Sequence, residues 1–148
     1  MKFLSRLAKN GRGVPQERRM QKVDNETASY DSVLRIQSKA MPGVTFAINR
    51  ISFGRRMELA RRVRGISQRA EFLEAGNQLQ EKIEANLLKQ EIEATYLRWG
   101  LVDIDGLLID GEAATAERLI EKGPEELTRE VVTAIKAQCG LGEDERKN

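Results

Sequence analysis

Histidine is absent and cysteine occurs once, at Cys139. Without histidine there are no His metal ligands, no Ser-His or Cys-His nucleophile pair and no imidazole general base. A single cysteine cannot close an intrachain disulfide, which fits a reducing compartment. No run approaches the roughly 20 apolar residues of a membrane span. The opening MKFLSRLAKNGR scatters its apolar residues instead of gathering them into a signal-peptide core. These absences lead to the expectation of a cytoplasmic, non-enzymatic protein with no cofactor, no metal and no membrane partner.

What is present is charge. Asp, Glu, Lys and Arg make up 32% of the 148 residues, yet the net charge is only +2. The two halves differ in sign. Residues 1–76 carry 16 basic and 7 acidic side chains, whereas residues 77–148 carry 9 and 16. Such a dipolar chain invites either an anion at its basic end or pairing with an acidic protein surface, its own included.

The stretch Asn77–Trp99 reads as a long helix with two apolar stripes. Leu79, Ile83, Leu87, Ala94 and Leu97 share one side; Ala85, Leu88, Ile92, Tyr96 and Trp99 share the opposite side. A surface helix needs only one stripe, so two imply two packing partners. The first reading is a central helix sandwiched inside its own domain, both stripes covered; the alternative leaves one stripe open to a protein partner or a second copy. Aromatics at the end of an apolar stripe suit interfaces, so Leu88, Ile92, Tyr96 and Trp99 are expected to be the uncovered set.

A second helix is expected from a Ser52 cap to about Ala75, with Leu59, Val63, Ile66, Ala70 and Leu73 as a narrow seam. Gly65 inside it is read as permitting a close helix approach. Six arginines lie along this helix, Arg55 and Arg62 among them, as a further protein-facing surface. Binding of nucleic acid phosphates is the alternative. It is disfavoured because Glu58, Glu71 and Glu74 are interleaved and only Phe72 is placed to stack on a base. Gly76 and Asn77 leave so short a connection that the two helices form an antiparallel hairpin.

Val44–Ser52 alternates as a strand. In Gly100–Gly111, Asp105-Gly106 lies between apolar residues and predicts a two-residue β-hairpin over 101–110, with Ile104 facing Leu107 and Val102 facing Ile109. The acids there do not fit an EF-hand loop, since Leu108 and Ala114 stand where glycine and glutamate are required. Thr115 and Pro124 open two short C-terminal helices. Residues 1–42 lack periodicity and read as a flexible basic tail. Met41 is an alternative start that would leave residues 1–40 outside the native chain. The expected fold is α+β: a single domain at 43–148 with a long helical hairpin, an antiparallel sheet built from strand 44–52 plus hairpin 101–110, and two C-terminal helices.

Several runs in this order resemble phage tail assembly chaperones. They are Val44–Arg55, Phe72–Gly76, Trp99-Gly100-Leu101-Val102, Asp105-Gly106, Asp110–Thr115, Gly123–Leu127 and the closing Leu141–Asn148. The resemblance implies a non-enzymatic chaperone that binds the tape measure protein until tail tube protein polymerises around it. It also implies a second, longer form made by frameshifting near the C-terminus. Structural tail or virion components are the remaining alternative. Self-association into a homo-oligomer is compatible with the opposite charges of the two halves.

Overall fold

The structure, a computed structural model, describes residues 27–140. The chain divides into two units, Met1–Asp31 and Ser32–Asn148. The described part of the first, residues 27–31, has no regular secondary structure. The second is α+β.

Its first strand, β1 (Val33–Gln37), corrects the boundary expected for the flexible tail. Within it Leu34 and Ile36 are half-buried while Arg35 and Gln37 are exposed. That is period-two alternation, too brief to stand out in a polar segment. The strand forms because β2 (Thr45–Asn49) supplies its partner. The antiparallel register sets Leu34 opposite Ile48 and Ile36 opposite Phe46. The part of the expected tail at residues 1–26 lies outside the described residues.

The connection from β1 to β2 is fastened to the far end of the chain. The Glu130 carboxylate accepts hydrogen bonds from Ser38 Oγ at 2.6 Å and from the amides of Lys39 at 2.7 Å and Ala40 at 3.3 Å. Burial pushes this carboxyl up, but the Ser38 and amide hydrogen bonds and the nearby Lys39 charge together outweigh it. Its pKa therefore lies below the ordinary glutamate value. A depressed folded-state pKa stabilises the fold above the unfolded pKa, and that contribution is lost as pH falls through the folded value. Glu130→Gln is accordingly expected to cost about 1 kcal/mol at neutral pH, discounted for partial solvent access. The gap to wild type should close on acidification below the ordinary glutamate range. Urea unfolding of both proteins across that range measures it; a gap independent of pH would show that the charge does not contribute.

After β2, Ser52 caps α1 (Phe53–Glu74) by accepting the Arg55 amide at 3.2 Å. The turn at residues 75–78 leads into α2 (Leu79–Gly100). This helix is capped by Gln78 and Glu81: the Gln78 amide donates to the Glu81 carboxylate at 3.3 Å. The two helices form the expected antiparallel hairpin, crossed by the ion pairs Lys89–Glu74 at 2.7 Å and Arg69–Glu84 at 3.4 Å. Gly65 has open space around its missing Cβ, so it does not serve a close approach within the chain. Gly100 does: a Cβ there would lie 2.7 Å from the Ile135 side chain.

β3 (Leu101–Asp105) follows α2 directly and pairs with β2, giving the three-stranded antiparallel order β1-β2-β3. Ala47 is opposite Asp103, but the next residue, Ile48, is opposite Leu101. Val102 is the extra residue of this bulge and stays exposed. The sheet thus has the expected three antiparallel strands, but its third strand is β1, and β2 is the central one.

The hairpin expected over 101–110 is corrected as well. Asp105-Gly106 does not fold β3 back on itself. Instead β4 (Leu108–Ile109) pairs with β5 (Glu112–Ala113), with Leu108 opposite Ala113 and Ile109 opposite Glu112. The turn between them is Asp110-Gly111, with φ of 51° and 80°. Positive φ at both central residues is what a type I′ turn requires. The chain contains the Asp-Gly signal twice, and the second copy makes the hairpin. The first bends the chain past the β1–β2 turn: a Cβ on Gly106 would lie 2.4 Å from the Gly43 carbonyl oxygen.

Thr115 caps α3 (Ala116–Lys122), and α4 (Glu125–Gln138) follows, with Pro124 at its N-cap. Leu127, Val131 and Ile135 of α4 are fully buried with Phe46 and Ile48 of the sheet, Leu97 of α2 and Leu119 of α3. This is the core, and it lies at the end of the helical hairpin where α2 runs into β3. Among the described residues no helix is long and apolar enough to cross a membrane.

Candidate protein-binding surface

The stripe expected to be uncovered is core. Tyr96 and Trp99 each keep only 6% of their accessible surface. Leu88 and Ile92 are half-buried, and Ile92 packs against the main core cluster. The side facing α1 is the side that carries them. Leu59 and Val63 of α1 belong to or pack on the same cluster, and the Arg55 guanidinium lies 5.7 Å from the Trp99 ring centroid. From the other direction α4 brings the Lys136 ammonium to 5.6 Å from the Tyr96 ring.

The opposite stripe is split. Leu97 is fully buried and Ala94 half-buried, but Leu79, Ile83 and Leu87 keep 75%, 53% and 60% of their surface exposed. Helix length explains the split. At 1.5 Å per residue the 22 residues of α2 span about 33 Å, whereas the 14 of α4 span about 21 Å. The C-terminal helices meet α2 only near its end: Lys136 pairs with Glu93 at 3.3 Å, Arg98 with Glu117 at 2.6 Å, and Ile135 abuts Gly100. The first half of the stripe is therefore left bare. Its three leucine and isoleucine side chains recur at every fourth residue on one side of a helix, the spacing at which helix-in-groove partners are read.

The arginines of α1 separate into engaged and free. Arg55 covers Trp99; Arg56 donates to the Cys139 carbonyl at 3.1 Å; Arg62 pairs with Glu58 at 2.7 Å; Arg69 pairs with Glu84. Arg55 and Arg62, expected as protein-facing, are thus held by their own chain. Among the described residues Arg61 and Arg64 make no ion pair. They lie on the side of α1 turned away from α2, together with the exposed Phe53, Met57 and Phe72.

The acidic half has its own concentration of charge where α2 meets α3. Arg98 gives a two-pronged contact to Glu117, with Nε to Oε1 at 2.6 Å and Nη2 to Oε2 at 3.3 Å. Its guanidinium is pushed up first by that hydrogen bond, against some burial, and then by the charges of Glu117, Glu91 and Glu121. Three carboxylates around one guanidinium leave this surface negative. A neighbouring cleft of about 220 Å³ is lined by Ile109, Asp110, Glu112, Arg118, Glu121 and Lys122. Its charges are largely consumed internally, since Arg118 pairs with Glu112, and Lys122 with Asp110 at 3.7 Å.

Cys139 is buried at the end of α4; burial pushes its thiol up, and the Arg56 charge opposes this only in part. A buried thiol held protonated is a poor nucleophile. Among the described residues no group of three or more His, Cys, Asp or Glu is placed to hold a metal ion.

Comparison with known proteins found no match: no family model, no curated protein and no solved structure corresponds to this chain.

Proposed function

We propose that this chain is a non-enzymatic chaperone of the phage tail assembly kind, working in the cytoplasm of the host cell. Its client is the tape measure protein, a long helical chain kept soluble until tail tube protein assembles on it. The observation that carries the reading is the bare row Leu79, Ile83 and Leu87 on the distal half of α2. Solvent-exposed apolar residues aligned on one rigid helix are what an amphipathic client helix needs as a counterpart. The resemblance of the segment from Pro42 onward supplies the client in this reading, and the exposed row supports the choice of docking face.

The test is co-expression with a tape-measure fragment, comparing wild type with Ile83→Asp combined with Leu87→Asp. Both side chains are already exposed, so the variant should remain folded by circular dichroism. Losing the two apolar contacts should cost about 2–3 kcal/mol of binding, or roughly 30- to 150-fold in affinity. The client should then move to the insoluble fraction. A folded variant that still keeps the client soluble would overturn the docking face. A wild-type chain that fails with every tape-measure fragment tried would overturn the chaperone reading itself.

A further inference from the structure

We infer that residues 141–148 of the chain dock along the outer face of its own α1, as a strap over exposed apolar and basic side chains. The inference does not rest on the client reading, because it uses none of Leu79, Ile83 and Leu87.

On the side of α1 opposite its seam, Phe53 and Met57 keep 84% and 45% of their surface exposed. Arg61 and Arg64 follow one and two turns beyond Met57, and the exposed Ala60 adds no bulk between them. Neither arginine makes an ion pair among the described residues, whereas Arg55, Arg56, Arg62 and Arg69 are each engaged by their own chain. A surface that is apolar at one end and cationic beyond it calls for an occupant that leads with an apolar residue and continues with acids.

The chain delivers that occupant to the right place. At the end of α4 the Arg56 guanidinium holds the Cys139 carbonyl at 3.1 Å. Gly140, with φ of 75°, then turns the chain out of the helix, and Arg56 Nη1 lies 3.6 Å from where its Cβ would be. On the helical wheel Arg56 stands between the seam of α1 and its outer face, so residue 141 starts at the edge of that face. The sequence from there is Leu141-Gly142-Glu143-Asp144-Glu145-Arg146-Lys147-Asn148.

An extended chain advances about 3.3 Å per residue and a helix about 1.5 Å. Counted from Arg56, Leu141 comes about 3 Å along α1, beside Met57. Glu143 comes at about 10 Å, between Arg61 at about 7.5 Å and Arg64 at about 12 Å. Arg146 and Lys147 come at about 20 and 23 Å, level with Glu71 at about 22 Å. Glu71 is exposed and makes no ion pair among the described residues. Apolar, acidic and basic residues of the segment thus meet, in order, apolar, basic and acidic residues of the helix. Exposed ion pairs are individually weak. A tether this short, however, holds the segment at an effective concentration in the millimolar range, so weak contacts suffice within one chain. Once docked, the strap takes Met57 out of solvent and neutralises both free arginines. A partner then reaches the outer face of α1 only by displacing it.

A nitroxide at the last residue of the full chain tests this by NMR. Asn148→Cys accepts the label, while Cys139 is buried with its thiol held protonated and stays unlabelled. At about 50 mM salt the amides of α1 around Glu71 should broaden and those of α3 should not; at about 500 mM salt the broadening should fade. Arg61→Glu combined with Arg64→Glu should abolish it, with the circular dichroism of the wild type. Glu143→Arg, Asp144→Arg and Glu145→Arg in an otherwise unchanged chain should abolish it as well. All five substitutions together restore opposite charges and should restore the broadening. Nitroxide-bearing chains mixed with isotope-labelled chains that carry no nitroxide should broaden nothing, because the contact is within one chain. The inference is overturned if α1 is not broadened at low salt, if either charge-reversed variant broadens as the unreversed chain does, or if the fivefold exchange fails to restore the effect. Equal broadening in the mixture would also overturn it, by placing the segment on a second copy.

Discussion

A chain that begins at Met41 is expected to lose most of its cooperative stability. Such a chain lacks β1, and β2 changes from the central strand of three to an edge. The half-buried Leu34 and Ile36 disappear from their places opposite Ile48 and Phe46. Together they contribute about 2–3 kcal/mol of apolar burial. The Glu130 carboxylate loses Ser38 Oγ and the amides of Lys39 and Ala40, worth about another 1–3 kcal/mol. The sum, about 3–6 kcal/mol, is comparable with the whole net stability of many domains. Leu34→Ala combined with Ile36→Ala tests the same strand in the full-length chain and should lose about half as much. Denaturant midpoints decide the matter. If the chain from Met41 unfolds at the wild-type midpoint with an unchanged slope, β1 is dispensable and the sheet is effectively two-stranded.

Tyr96→Ala should cost about 3–5 kcal/mol, as other aromatic-to-alanine changes in cores do. Tyr96 is 6% exposed, lies in the main cluster and has the Lys136 ammonium over its ring. Ile92→Asp should approach the same size, because it removes a packed side chain and sets a carboxylate against the α1–α2 seam. Ile83→Asp, on the same helix nine residues earlier, should stay within about 0.5 kcal/mol of wild type. The three variants together read out which side of α2 is covered. Thermal or urea unfolding followed at 222 nm would do. Equal, small effects at all three positions would mean that α2 does not pack as described.

The helical hairpin was legible because its signals are long and redundant. The Ser52 and Thr115 caps and the seam of α1 are local, and they form where the sequence places them. The errors arose where a local signal had two solutions. Asp-Gly occurs at 105–106 and at 110–111, and a turn motif alone cannot say which copy turns a hairpin. The choice was made by the close passage of Gly106 against Gly43, 63 residues away. The helical wheel of α2 shows two opposite stripes but not which one α1 covers. Aromatic content argued for an interface, whereas in the structure the larger side chains fill the core, as their burial energy favours. The bare row was visible as one of the two stripes. What exposes it is the mismatch between a 22-residue helix and its 14-residue neighbour, a comparison of lengths rather than of residue types. β1 was missed because five residues carry too little pattern to outweigh the polar segment that precedes them.

Between residues 60 and 90 the hairpin buries only Ala70 and Ala85. Those are the smallest apolar side chains available, so the distal turns are joined by the half-buried Val63, Ile66, Leu73 and Leu88 and by two solvent-exposed ion pairs, with no large side chain fully buried among them. Their amide hydrogen bonds are consequently reachable by local fraying, while those around Leu97 open only when the whole core does. The hairpin is stiff at its base and breathes at its tip. The row of Leu79, Ile83 and Leu87 sits on the breathing part. A partner that seats there sets the protection of the tip amides, and hydrogen exchange at residues 66–90 becomes a direct gauge of occupancy even where the body of the domain gives no signal.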